Sequence, residues 1–190
     1  MARQEGMYSG VKKIFAKYWR NYGGIRALIA SPYLHAAVVL TLLMAPLWQQ
    51  RGWWDTPLSV MPSVLGFSLG GYAIWLAIGD DRFRAIISGA SSGNSDSPFM
   101  KVNASFVHFI FLQFLAIMTA LLCMAYAPEK GTDPHRLLRL VWGAGFFVFV
   151  YALLSALAAT MQIFRVAGWY DDYQTKRRKA EQDKERTGRK

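Results

Sequence analysis

The fold is decided by an uncharged stretch at residues 102–127, which reads VNASFVHFIFLQFLAIMTALLCMAYA. A helix needs about 20 apolar residues to cross the hydrocarbon core of a bilayer. Three further stretches of similar length also lack charge, at residues 27–48, 57–79 and 140–164. Each is too long and too apolar to be a core helix of a small soluble domain. We therefore predict an all-α integral membrane protein with four transmembrane helices.

The composition of the whole chain agrees with this class. Of its 190 residues, 53% are hydrophobic and 18% are charged, whereas charged residues make up about a quarter of an ordinary soluble domain. The net charge of +10 lies beside the apolar stretches, so it favours a membrane surface over nucleic acid. Cys123 is the only cysteine, which excludes an internal disulfide framework. The three histidines are scattered, and we expect neither a metal nor a cofactor.

Lysine and arginine predict the orientation, because short basic loops stay in the cytoplasm. Six of them precede the first stretch, three lie in the connection at residues 80–101, and nine follow from Arg165 onward. The remaining four lie in the other two connections. We therefore expect both termini in the cytoplasm, with a bacterial inner membrane as the location. The predicted parts are a cytoplasmic amphipathic segment (1–26), a membrane bundle (27–167) and a basic tail (168–190).

The segment before the first stretch has the pattern of an amphipathic helix. Apolar side chains recur at spacings of three and four, at Met7, Val11, Ile14, Tyr18, Tyr22, Ile25 and Leu28. Such a helix can lie in the inner interface with its basic residues against anionic headgroups, or it can pack on the bundle or on a partner. Gly23 and Gly24 predict a bend before the first stretch.

Basic residues in the three cytoplasmic segments are candidate contacts for anionic lipid headgroups or for a cytosolic protein. They are Lys12, Lys13, Lys17, Arg20, Arg82, Arg84, Lys176, Arg177, Arg178 and Lys179. Residues 88–98 are rich in serine, glycine and asparagine and predict a flexible coil. Mixed charge at residues 179–184 could continue the fourth helix into the cytosol, and disorder is expected beyond Thr187.

Small side chains form a stripe along the second stretch, which we call the small-residue stripe. Its members are Ser59, Ser63, Gly66, Gly70, Ala73 and Ala77, and the fourth stretch offers Gly145, Ala152, Ser155, Ala156 and Ala159 as a partner set. Small residues let helices approach closely in lipid. The sequence leaves open whether they pack within one chain or between chains, and whether they line an oligomeric pore.

Residues 66–70 read GFSLG and match the nucleophile pattern of serine hydrolases, but that pattern needs a strand before the serine and a helix after it. Ser68 lies in the middle of an apolar stretch, so we predict no catalytic residue and no enzymatic activity. His108 and Gln162 are expected to form a hydrogen bond between the third and fourth helices. Tryptophans at the ends of the stretches are expected to be interface anchors. They are Trp48, Trp53, Trp54 and Trp142 outside and Trp19 and Trp169 inside.

The functional prediction follows from the lengths of the segments that we expect on each side of the membrane. The cytoplasmic segments are long and the outer connections are short, which favours a partner in the cytosol. We predict a non-enzymatic membrane protein that oligomerises through its small-residue faces. It would act as a sensor or anchor relaying to a cytosolic protein, by analogy with four-pass subunits of bacterial stress or phage-defence modules. The alternative is an oligomeric pore that depolarises the membrane.

Overall fold

A computed structural model describes residues 7–77, 81–89 and 97–188. Within these ranges the chain is helical, without a strand, so the predicted all-helical class is confirmed. The helices are α1 (Met7–Tyr22), α2 (Gly24–Ile29), α3 (Pro32–Leu43), α4 (Ala45–Trp48), α5 (Asp55–Ala77), α6 (Asp81–Ile87), α7 (Pro98–Ala125) and α8 (Arg136–Gly188).

Three of these helices are long and apolar enough to cross a membrane: α5, α7 and α8. The shortest, α5, has 23 residues, which corresponds to about 35 Å at the rise of an α-helix. The hydrocarbon core of a bilayer is about 30 Å thick. The chain therefore has three candidate membrane-spanning helices, which are compatible with a membrane protein. Residues 78–79, the predicted end of the second span, lie outside the described residues.

The stretch 27–48 differs from the expectation of one uninterrupted helix, because it is divided among α2, α3 and α4. Ser31 takes an extended conformation with φ −72° and ψ 121°, as a residue that precedes proline prefers. A second proline, Pro46, stands in the first turn of α4. The central piece, α3, has 12 residues and measures about 18 Å. No single helix of this stretch is long enough to cross the bilayer.

The bundle is organised around α7 and α8, which pack against each other along their length. The helices α5 and α1 lie on α7, and α3 lies on α8. We call the end where α7 leads into α8 the hairpin end, and the opposite end, where α8 extends beyond the bundle, the tail end. At the tail end α7 begins after Ser97, whose hydroxyl accepts a hydrogen bond from the Met100 N–H at 3.2 Å.

Tryptophans fill the core at the hairpin end, which corrects the expectation that they anchor the protein in the interface. Trp53, Trp54 and Trp142 are only 6%, 5% and 1% exposed. The chain turns at Gly52, whose φ is +91°, and this turn brings Trp54 against Trp142 with ring centroids 5.4 Å apart. These rings therefore stabilise the contact between helices. Trp19 and Trp169 remain partly exposed, as an interface position requires.

A second core at the tail end fixes α6 against α8. Phe83 of α6 is buried and its ring lies 5.1 Å from that of Tyr170 and 5.7 Å from that of Tyr173. The predicted flexible coil at residues 88–98 lies largely outside the described residues, which omit 90–96.

The most extended feature is α8, which continues as one helix of 53 residues to Gly188. From Thr175 to Thr187 every side chain is exposed. We call residues 175–188 the α8 arm. Arg177 donates to Glu181 across one turn of the arm at 3.0 Å, and such pairs support a solvated helix. The predicted continuation of the fourth helix is therefore present.

Candidate functional site

A polar cavity of about 320 Å³ opens between the α2–α3 junction, α7 and α8. Hydrogen-bonding side chains line it: Tyr22, Ser31, Tyr33, Ser105, His108, Tyr151, Ser155 and Gln162. We call it the tyrosine–histidine pocket. The remaining lining includes small or apolar residues such as Ala27, Ala30 and Ala158. Among the described residues that line the pocket, none is charged.

His108 is the centre of this site and is only 7% exposed. Its Nδ1 lies 2.6 Å from the hydroxyl of Tyr18, and its Nε2 lies 3.3 Å from the hydroxyl of Tyr151. The ring of Tyr22 stacks on the imidazole with centroids 3.9 Å apart. Both ring nitrogens therefore face tyrosines, and the predicted hydrogen bond from His108 to Gln162 is wrong. Gln162 lines the same pocket without bonding to the imidazole.

The number of protons in this chain of bonds limits what the site can do. A neutral imidazole has one N–H, and two phenols have two O–H groups, so three protons serve the two hydrogen bonds around His108. The remaining phenol O–H also has partners, because Tyr151 forms further side-chain hydrogen bonds with Tyr22 and Ser31. The polar side chains around His108 therefore satisfy one another within the protein.

The first helix, α1, docks on α7 through its apolar face. Phe15 packs edge-on against Phe111 with centroids 6.2 Å apart, and Tyr18 reaches His108 as described above. Of the alternatives for the amphipathic helix, packing on the bundle is therefore the one present in the structure. Burial raises the pKa of Tyr18 to about 12 and also raises that of Tyr22. The basic residues of α1 are exposed: Lys12, Lys13, Lys17 and Arg20.

Ser68 belongs to a polar contact between α5 and α7. Its hydroxyl donates to the carbonyl oxygen of Val64 at 2.5 Å and accepts from the Nε2 amide of Gln113 at 3.1 Å. About one turn further along α5, Tyr72 donates to the side-chain oxygen of Asn103 at 3.0 Å. Hydrogen bonds of this kind join helices in lipid. No histidine is among the hydrogen-bond partners of Ser68.

The two sets of small residues lie in different environments and do not meet. The whole small-residue stripe of α5 is exposed: Ser59, Ser63, Gly66, Gly70, Ala73 and Ala77. A Cβ atom added at Gly66 or Gly70 would meet nothing within 4 Å. On α8, Gly145 and Ala152 are buried and Ala156 is half-buried. A Cβ at Gly145 would lie 2.9 Å from the indole of Trp53, so this glycine accommodates a tryptophan of its own chain.

The basic candidates lie on three separate elements. On α6, Arg82 is exposed, and the side chain of Arg84 is outside the described part of the chain. The four basic residues of the α8 arm are all exposed: Lys176, Arg177, Arg178 and Lys179.

Comparison with known protein families, with curated proteins and with solved structures finds no match to this chain. Its class therefore rests on the fold itself. The long apolar helices α5, α7 and α8 are compatible with an all-helical membrane protein, and the tyrosine–histidine pocket is a polar site among the described helices. Sequence reasoning singled out His108 but missed Tyr18, Tyr22 and Tyr151. The first two had been placed on the apolar face of α1, although each also carries a hydroxyl.

Proposed function

We propose that this protein is a non-enzymatic membrane component that senses a change within the bilayer and relays it to a cytosolic protein through α8. The observation that carries this proposal is the continuity of α8. One unbroken helix contains Tyr151 and Gln162 of the pocket and also the exposed α8 arm. The 17 residues from Gln162 to Lys179 correspond to about 25 Å of helix. A rotation or tilt of α8 caused at the pocket would therefore move the arm.

The proposed topology has four crossings, with both termini in the cytoplasm of a bacterial cell and the protein in its inner membrane. The path of residues 27–48 along α8 supports the fourth crossing. Trp48 packs on Gly143, whereas Ser31 lines the same pocket as Gln162. The 19 residues from Gly143 to Gln162 measure about 28 Å, close to the thickness of the hydrocarbon core. The short helices α2, α3 and α4 together would thus cross the membrane, which none of them is long enough to do alone.

The α8 arm is better suited to a protein partner than to the lipid surface. Lys176 and Lys179 lie 11 and 14 residues beyond Arg165, or about 16 and 21 Å along the helix. Electrostatic attraction to headgroups is screened within about 8 Å at physiological salt. A helix that leaves the membrane steeply would therefore hold these charges beyond the reach of lipid. Four consecutive basic residues surround a helix on all sides, so the expected partner surface is acidic and concave.

The anionic lipid headgroups would instead be contacted by α1. Its basic residues are exposed, and each charge near an anionic surface contributes about 1 kcal/mol to membrane attraction. In this proposal the four basic residues of the α8 arm contact a protein, and the four basic residues of α1 contact lipid.

The test compares these two sets in cells. One variant replaces the four basic residues of the arm by glutamine: Lys176→Gln, Arg177→Gln, Arg178→Gln and Lys179→Gln. The control makes the same four-charge change in α1: Lys12→Gln, Lys13→Gln, Lys17→Gln and Arg20→Gln. We expect a cytosolic protein to co-purify stoichiometrically with the unaltered chain and the α1 variant but not with the arm variant. Equal recovery with both variants, or no partner with the unaltered chain, would contradict the relay.

We further propose that chains associate through the exposed small-residue stripe of α5. Because a Cβ added at Gly66 or Gly70 would meet no atom of the described residues within 4 Å, the stripe is available to a second helix, and close approach of glycines stabilises helix pairs in lipid. We expect Gly66→Leu with Gly70→Leu to lower the native mass in mild detergent without changing the helical content. Gly10→Leu, at a glycine of α1 that also lacks close neighbours, is the control.

The same exposed stripe favours the alternative of an oligomeric pore, because Ser59 and Ser63 would face the shared axis. Ser68 would not join them, since it faces α7 and bonds to Gln113. Ion flux through liposomes that contain only the purified protein distinguishes the two functions. The relay predicts no flux above that of empty liposomes, and a steady flux abolished by Gly66→Leu would establish the pore instead.

A further inference from the structure

We infer that α1 is a hinged helix with two positions, docked on α7 or released onto the cytoplasmic membrane surface, and that anionic lipid headgroups select the released position. The inference deepens the sensor role, because it makes the negative charge of the inner lipid surface the stimulus. It rests on the proposed function for two points: α7 crosses the membrane, and α1 starts from its cytoplasmic side.

The docked helix runs antiparallel to α7 and towards the middle of the bundle. Tyr18 bonds to His108, whereas Phe15, which is further from α2, packs on Phe111. The uncharged stretch of α7 begins after Lys101, and Phe111 lies ten residues beyond it, or about 15 Å along the helix. The hydrocarbon core is about 30 Å thick, so the docked α1 extends to about the middle of the core.

The basic residues of α1 are poorly placed at this depth. Lys17 lies between Phe15 and Tyr18 along the helix and is exposed, so in a membrane it would be surrounded by lipid. Lys12 is also exposed and lies beyond Phe15, further towards the hairpin end. A charged side chain inside the hydrocarbon core is strongly disfavoured, whereas lysines at the inner surface are attracted to anionic headgroups. The charges of α1 therefore oppose the docked position.

The apolar face of α1 is also suited to the membrane surface. Docking covers only part of this face, since Tyr8 and Ile14 remain 84% and 70% exposed. A basic amphipathic helix in the interface buries such side chains at the boundary of the acyl chains while its lysines contact headgroups. The released position therefore accommodates the apolar and the basic residues of α1 together.

Two glycines join α1 to α2 and provide the hinge. Gly23 and Gly24 have φ values of +104° and +65°, which residues with a side chain rarely adopt. The six-residue helix α2 that follows has no buried residue, so packing holds this junction only lightly. Hinge motions are commonly absorbed by a few residues at the end of a helix, and this pair occupies such a place.

The docked position is held by contacts of two tyrosines with α7 and α8. Tyr18 bonds to His108, the ring of Tyr22 stacks on the same imidazole, and Tyr22 also bonds to Tyr151. These contacts oppose the cost of placing lysines in lipid, so attraction to anionic headgroups can decide between the two positions. Tyr151 belongs to α8, and release of α1 would therefore change the contacts of the helix that carries the arm.

The test measures the distance between spin labels on Tyr8→Cys and Lys130→Cys in a Cys123→Ala background, by pulsed electron paramagnetic resonance on the full-length chain in nanodiscs. Tyr8 lies 15 residues from Gly23, or about 22 Å along the helix, and Lys130 is at the hairpin end. Release should lengthen the distance by about 10 Å or more. On changing from phosphatidylcholine to an equal mixture with phosphatidylglycerol, the ratio of long to short distances should rise at least about tenfold.

The two four-charge variants described above identify the origin of this response, and their substituted positions are exposed, so both should fold. The α1 variant should keep the short distance in both lipids, whereas the arm variant should respond as the unaltered chain does. High salt, which screens surface charge, should reduce the response. Tyr18→Phe with Tyr22→Phe keeps the rings but removes their hydroxyls, and should raise the proportion of long distances in phosphatidylcholine roughly two- to tenfold.

The same distance distribution in both lipids, or an equal response of the α1 and arm variants, would overturn the inference. A response that persists in high salt would do so too, because it would not come from headgroup charge. The measurement needs no cytosolic protein. Failure of the relay would appear in partner recovery with the arm variant, and failure of the hinge would appear in the label distance, so the two proposals fail separately.

Discussion

A pair of glycine substitutions tests the packing of the hairpin end quantitatively. Gly145 of α8 and Gly66 of α5 are both helical glycines, and replacing either by alanine favours the helix by up to about 1 kcal/mol. At Gly66 the added Cβ meets nothing within 4 Å, whereas at Gly145 it would lie 2.9 and 3.2 Å from two carbons of the Trp53 ring. Carbon atoms in contact normally lie about 3.5–4.0 Å apart.

The expected magnitude is the difference between the free energies of unfolding of the two variants. The gain in helix propensity is similar in both, so it cancels in this difference. Trp53 is 6% exposed and is enclosed by Trp54 and Phe146, so its ring cannot move away freely. Overpacking of this kind costs about 1–3 kcal/mol. We therefore expect Gly145→Ala to be less stable than Gly66→Ala by about 1–3 kcal/mol.

The assay is reversible unfolding of each monomeric variant in detergent, followed by tryptophan fluorescence. Dilute conditions are needed so that association through the small-residue stripe does not contribute. Equal midpoints for the two variants would refute the packing of Trp53 on α8, and with it the arrangement of the hairpin end.

Three further expectations concern α1 and the contact between α5 and α7. Tyr18→Phe removes the hydrogen bond to His108, so amide exchange in α1 should accelerate several-fold while exchange in α7 stays unchanged. Because burial raises the pKa of Tyr18 to about 12 from an ordinary value of 10, its contribution to α1 docking is fully present below pH 10 and is lost as pH rises through 12. Exchange measured from pH 9 to 12 should show a larger loss in the unaltered chain than in Tyr18→Phe, in which Tyr22 of α1, whose pKa is also raised by burial, still titrates. Gln113→Leu breaks the bond to Ser68, which is worth about 0.6 kcal/mol on average in a membrane protein, and thermal unfolding should change by no more than a few degrees.

The extent of the apolar helices could be predicted from sequence because few backbone conformations are stable in lipid. A segment without charge must satisfy its N–H and C=O groups internally, and a helix does so. Residues 102–125 therefore lie within α7 and residues 140–164 within α8, while residues 126–127 of the predicted third stretch follow the end of α7. The break in residues 27–48 was less predictable, because Pro32 and Pro46 stand near its ends, where a single helix could tolerate them.

The burial of the tryptophans could not be predicted from their position along the chain. A tryptophan at the end of a span suits the interface and the core equally well, and only the turn at Gly52 decides that Trp53 and Trp54 point inward. The same ambiguity concealed the site around His108. A tyrosine counts as apolar in a helical pattern, yet its hydroxyl can bond across helices, and the 90 residues between Tyr18 and His108 give no local signal that they meet.

The topology is tested most directly by labelling single cysteines with a membrane-impermeant maleimide in intact cells. In a Cys123→Ala background, cysteines would replace Lys12 of α1, Lys130 in the connection at the hairpin end, and Thr187 of the α8 arm, all of which are exposed. Four crossings with a cytosolic arm predict labelling at position 130 from outside, and labelling at 12 and 187 only after the membrane is permeabilised. Labelling at position 12 from outside, with 187 still protected, would mean three crossings, and labelling at 187 from outside would contradict a relay to the cytosol.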